Sequence, residues 1–105
     1  RSLCFVDDMI EVFVMSMEKN IFPDKPFNLG NDSEVTIKNI CDTIIDLTNS
    51  KSSITYKSLP ENDPKKRKPT LENVKKYFKW IPKTDLESGL TKTISYFEKE
   101  LMNLK

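Results

Sequence analysis

Twelve residues in the middle of the chain, Leu59-Pro60-Glu61-Asn62-Asp63-Pro64-Lys65-Lys66-Arg67-Lys68-Pro69-Thr70, decide what the rest can fold into. The three prolines in this span remove backbone donors, fix φ and push the residues before them to extended geometry. No regular helix fits before Thr70. The segment reads as a held, extended loop, followed by a helix that Thr70 caps. Its four consecutive cations, Lys65 to Lys68, read most plainly as a solvated face. A stiff loop carrying Arg67 beside a helix start is also a place to grip phosphate. A guanidinium donates paired hydrogen bonds, and a helix N-terminus carries positive partial charge.

On the N-terminal side of this loop, residues 1–6 favour extended backbone, with Leu3, Phe5 and Val6 as strand formers. Asp7 or Asp8 is the expected cap of a first helix. Met9, Ile10, Phe13, Val14 and Met17 form one apolar helical stripe that ends near Asn20. Phe27 and Leu29 alternate with Asn28 as a short strand, and Gly30-Asn31-Asp32-Ser33 is turn chemistry. Thr36 caps the clearest amphipathic helix, with Ile37, Ile40, Cys41, Ile44 and Ile45 on one face. Residues 53–57 alternate again and predict a second strand.

Strand, helix and strand over residues 26–57 make a βαβ unit with a right-handed crossover. Ligands on such units sit beyond the carboxyl ends of the strands, which draws Asn28 and Arg67 towards one place. After the loop, Leu71, Val74, Tyr77 and Phe78 predict a helix ended by Trp80-Ile81-Pro82, with Trp80 anchored in the core. Thr84 and Glu87 form a capping box for the last helix, whose apolar face runs from Leu86 to Leu104. The expectation is one domain over residues 1–105, α/β and α+β-like, with short strands, a βαβ unit and about four helices.

Seventeen cations and sixteen anions leave a net charge of +1, so no global field attracts nucleic acid or an anionic membrane. No apolar run approaches the ~20 residues of a membrane span. Cys4 and Cys41 give no disulfide framework; Cys41 reads as a buried free thiol in a reduced, cytoplasmic setting. The chain has no histidine, which removes His metal sites and His bases together. With Gly30 and Gly89 as its two glycines, it holds no glycine-rich phosphate loop. Its start at Arg1 without a Met reads as the tail of a longer protein.

Six landmarks in fixed order carry a resemblance. Arg1-Ser2-Leu3-Cys4-Phe5-Val6-Asp7-Asp8 resembles the R-S/A-F-x-Y-V-x-D segment of extended short-chain dehydrogenase/reductases acting on nucleotide sugars. Phe27-Asn28-Leu29-Gly30-Asn31 is similar to their N-L/I-G-N turn, with Val35-Thr36-Ile37 as the following helix start. Asn62-Asp63-Pro64-Lys65-Lys66-Arg67-Lys68-Pro69 resembles D-D-P-x-x-R-x-P. Trp80-Ile81-Pro82 resembles W-x-P, and Leu86-Glu87-Ser88-Gly89-Leu90 resembles L-E-E-G-L. Ile94-Ser95-Tyr96-Phe97 completes the series. The D-P-x-x-R-x-P form is most similar to the UDP-glucuronic acid decarboxylase branch; nucleotide-sugar epimerases and dehydratases share most of the other landmarks.

The resemblance implies the C-terminal, substrate-binding part of an NAD-dependent enzyme making UDP-xylose from UDP-glucuronate. The NAD-binding Rossmann domain, with its Tyr-x-x-x-Lys pair, would precede it and is absent here. Tyr56, Tyr77 and Tyr96 have Pro60, Ile81 and Glu100 four residues on, so no catalytic residue is expected in this chain. Arg1 and Arg67 are implied to hold the UDP-sugar diphosphate. Asn28 is implied as a contact to substrate or to the loop of Arg67, or simply closes a strand end. A homodimeric parent with its own N-terminal domain as partner is also implied. The implied reaction oxidises C4 of the sugar, loses CO2 from the β-keto acid and returns hydride to C4.

Leu3, Phe5, Thr70, Lys79 and Ser88 depart from the family pattern. Lys79 stands where Gly is usual, at a helix end that favours left-handed backbone. A different class of function is a small non-catalytic module using the basic loop on nucleic acid or an acidic partner. One short basic run without interleaved aromatic residues argues against that.

Overall fold

The computed structural model describes residues 1–20, 23–61 and 68–104, and these form two compact units. Among the described residues there are four helices: α1 (Val6–Lys19), α2 (Ile37–Thr48), α3 (Glu72–Phe78) and α4 (Leu86–Asn103).

The first unit is built on α1 and α3. Val12, Leu71, Val74, Phe78 and Trp80 are buried together, and Cys4, Met15, Phe27 and Leu29 pack against them. The Phe27 ring lies 5.8 Å from that of Phe78 and 6.2 Å from that of Tyr77, both tilted. Trp80 is the core anchor its sequence context predicts. Its indole N–H has no acceptor among the described residues, so burial rather than hydrogen bonding holds the ring.

The helix starts in this unit differ from expectation, α1 by two or three residues and α3 by one. Phe5, not Asp7 or Asp8, occupies the cap position of α1, and its carbonyl accepts from Asp8 N at 3.1 Å and Met9 N at 3.3 Å. Asp7 and Asp8 instead lie in the first turn, where negative charge suits the helix dipole. Asp8 is buried and serves another segment. Its Oδ2 accepts from Lys83 N at 3.1 Å and Thr84 N at 2.9 Å, and its Oδ1 from the Thr84 hydroxyl at 3.0 Å. Lys83 Nζ pairs with Glu11 at 2.8 Å beside this latch.

Thr70 does not cap α3. Buried Leu71 takes the cap position, and no side chain bonds to the helix start. Asn20 and Lys79 end α1 and α3 in left-handed backbone, with φ of 50° and 52°. Asn adopts that conformation readily and Lys does not. The Gly-to-Lys departure noted at position 79 therefore leaves a strained helix end.

The second unit joins α2 to α4. Thr36 Oγ1 accepts from Asn39 N at 3.0 Å, the predicted cap of α2. The cap of α4 is Asp85, which accepts from Ser88 N at 2.7 Å. Hydrogen bonds from Ser88 hold the Asp85 carboxyl below its ordinary range. The expected Thr84–Glu87 capping box does not form, because the Thr84 hydroxyl is committed to Asp8. Cys41 is a free thiol and only half-buried.

The expected strands and βαβ unit are not seen: the described residues contain no strand. Residues 27–29 and 53–57 fall in different units rather than side by side in one sheet. Phe27 and Leu29 satisfy their apolar character by docking from a loop onto the α1–α3 core. Tyr56 is 78% exposed, so alternation in residues 53–57 does not mark a buried face. No helix among the described residues is long and apolar enough to cross a membrane.

Candidate functional site

The segment before α1 and the turn after Phe27 enclose an open cavity of about 520 Å³ in the first unit. Arg1, Ser2, Cys4, Asn28, Asn31 and Lys68 supply its polar lining. The Gly30 turn and Pro69 come close together here. Gly30 is buried beside Pro69, and a Cβ built on Gly30 would meet Pro69 Cγ at 3.6 Å, an ordinary contact. The turn is closed by an Asx bond, Ser33 N to Asn31 Oδ1 at 2.8 Å, as the Gly-Asn-Asp-Ser composition predicts.

Two of the three residues singled out in the sequence, Arg1 and Asn28, thus meet at one cavity. Arg67 lies outside the described residues, but its neighbour Lys68 is on the lining. Motif reading passed over Lys68, Asn31 and Cys4. Lys68 was legible only as one of four cations in a solvated run, and Asn31 only as a turn residue.

The charged side chains on the described lining are Arg1 and Lys68; no carboxylate is among them. The site therefore favours an anion and offers amide and hydroxyl groups to orient it. Cys4 is a weakened nucleophile. Burial, and then the negative charge of Asp8, push its thiol above the ordinary value, and its S–H faces the Phe5 carbonyl at 3.7 Å. Iodoacetamide at pH 8 should alkylate Cys4 about fivefold or more slowly than free cysteine, as followed by peptide mass spectrometry. A rate equal to that of free cysteine would contradict this environment. Among the described residues, no group of three or more His, Cys, Asp or Glu could hold a metal ion.

The first unit thus carries a cavity whose described charged lining is cationic. No protein-family model matches the chain. It is 38% identical to UDP-glucuronic acid decarboxylase 1 of Danio rerio over 101 residues, covering 96% of this chain and 24% of that protein. It is 33% identical to UDP-glucuronic acid decarboxylase 1 of Arabidopsis thaliana over 103 residues, covering 98% and 23%. To UDP-glucuronic acid decarboxylase 3 of the same plant it is 34% identical over 90 residues, covering 86% and 26%. The chain is thus a relative of the UDP-glucuronic acid decarboxylases, as its motifs indicate. It spans about a quarter of the length of the curated relatives it matches.

Proposed function

We propose that this chain is the C-terminal, nucleotide-sugar-binding part of an NAD-dependent UDP-glucuronate decarboxylase. The observation that carries this reading is the meeting of Arg1 and Asn28, both picked out by motif, at one cavity whose described charges are all positive. Arg1, with Arg67 as the second clamp, holds the diphosphate through paired hydrogen bonds. Holding the diphosphate fixes the sugar, and orientation is a large part of catalysis in such reactions.

The residues present do not fit NAD. Gly30 and Gly89 are the only glycines, and no Tyr is followed four residues on by Lys. Cofactor binding and proton transfer are assigned to an N-terminal Rossmann domain that pairs with this part. The exposed stripe of Val6, Ile10, Phe13, Val14 and Met17 on α1 supports that pairing, since it gives a second domain an apolar face to cover. In the same reading the parent is a cytoplasmic homodimer.

The test restores the sequence upstream of Arg1 and supplies UDP-glucuronate and NAD. CO2 release with UDP-xylose formed is expected. Arg1→Ala and Arg67→Ala should each cost about 1–3 kcal/mol of UDP binding, the scale for hydrogen bonds to charged groups. NAD binding without CO2 release would move the parent to the epimerase or dehydratase branch. Binding of neither NAD nor UDP would reject the reading.

A further inference from the structure

We propose that Lys68 is a third cation for the diphosphate and acts together with Arg1 on the cavity that both line; this rests on the function proposed above. The basic run does not act as a unit in this assignment. Within the run, Lys68 is the described cation, and it lies on the same cavity as Arg1 and Asn28.

Three observations single it out. Pro69 follows Lys68 and restricts its backbone to extended geometry, so the ammonium is presented from a stiff segment. Pro69 also lies beside the buried Gly30, which ties that segment to the turn carrying Asn28 and Asn31. Finally, Lys68 makes no ion pair among the described residues, whereas Lys38 is engaged by Asp42 and Lys83 by Glu11. Its three N–H donors are therefore available to a ligand.

The two cations have different chemistry. The Arg1 guanidinium is a planar fork suited to two oxygens of one phosphate. An ammonium is a compact charge with rotatable donors that suits an oxygen of either phosphate. Lys75 provides an internal contrast. It lies on a neighbouring groove of about 320 Å³ that Lys68 borders too, together with Asp32 and Glu72; unlike Lys68, Lys75 is not on the cavity of Arg1 and Asn28.

The experiment uses the full-length gene product and measures binding of UDP and of UDP-glucuronate by calorimetry, with steady-state kinetics alongside. Lys68→Ala should weaken UDP about tenfold and raise KM similarly, with kcat changed less than about twofold. Lys68→Arg should recover most of the affinity, and Lys75→Ala should match wild type. Unchanged melting of Lys68→Ala excludes a folding defect. Wild-type UDP affinity in Lys68→Ala would overturn the assignment while leaving the function of the site intact. Weaker UDP-glucuronate with unchanged UDP would also overturn it, by moving Lys68 to the sugar carboxylate. Absence of UDP binding in the wild type would reject the site itself.

Discussion

Phe78→Ala should cost about 3–5 kcal/mol and take the α1–α3 unit below useful stability. Phe78 is 2% exposed and sits among Val12, Leu71, Val74 and Trp80, with the Phe27 ring against it. The α3 helix that bears it has seven residues. Isolated helices below about 12–15 residues are marginal in water, so α3 depends on the side chains it buries. Against a total of about 5–15 kcal/mol for a domain, the loss is a large share. Urea unfolding followed by far-ultraviolet circular dichroism measures it. Phe97→Ala, at a 57% exposed position on α4, should change stability by about 0.5 kcal/mol or less. Equal effects from the two substitutions would mean that the core does not lie on α3.

Asp8→Ala should cost about 2–4 kcal/mol, because it strands the N–H groups of Lys83 and Thr84 and the Thr84 hydroxyl without their acceptor. The carboxylate is 5% exposed, so water replaces it poorly. Asp8→Asn keeps the volume and one acceptor oxygen and should lose about half as much. Amide hydrogen exchange provides a local reading: Lys83 and Thr84 should lose protection in Asp8→Ala before the α1 amides do. Full protection at those two amides would show that the latch is dispensable. Removal of the charge also takes away the second cause of the raised Cys4 thiol and leaves burial, the larger one. Cys4 in Asp8→Asn should therefore alkylate somewhat faster and remain slower than free cysteine.

The helices were legible because apolar residues at helical spacing need only local information. The Thr36 cap of α2 is local in the same way. Helix starts were less legible where a residue answers to a distant partner. Asp8 looks like a cap in sequence, yet its partners lie 75 and 76 residues away. Thr84 looks like half a capping box, yet its hydroxyl belongs to that same latch. The strands were misread because alternation over three to five residues fits a loop that docks two side chains as well as a strand. At the site, Arg1 and Asn28 came from their place in ordered motifs. Lys68 could not, because a cation in a basic run carries no mark of the cavity it lines.

The order in which the chain visits its two units has its own consequence. Residues 1–34 and 68–84 build one, and residues 35–61 and 85–104 build the other, so the path crosses between them three times. No single cut yields either unit as a continuous piece. Cleavage near residue 50 leaves α1 on one product and α3 on the other, which divides the core that Phe78 and Val12 share. Neither unit could then be exchanged between proteins as a simple cassette. Gene shuffling has to carry the whole interleaved segment, landmarks included, or lose both parts.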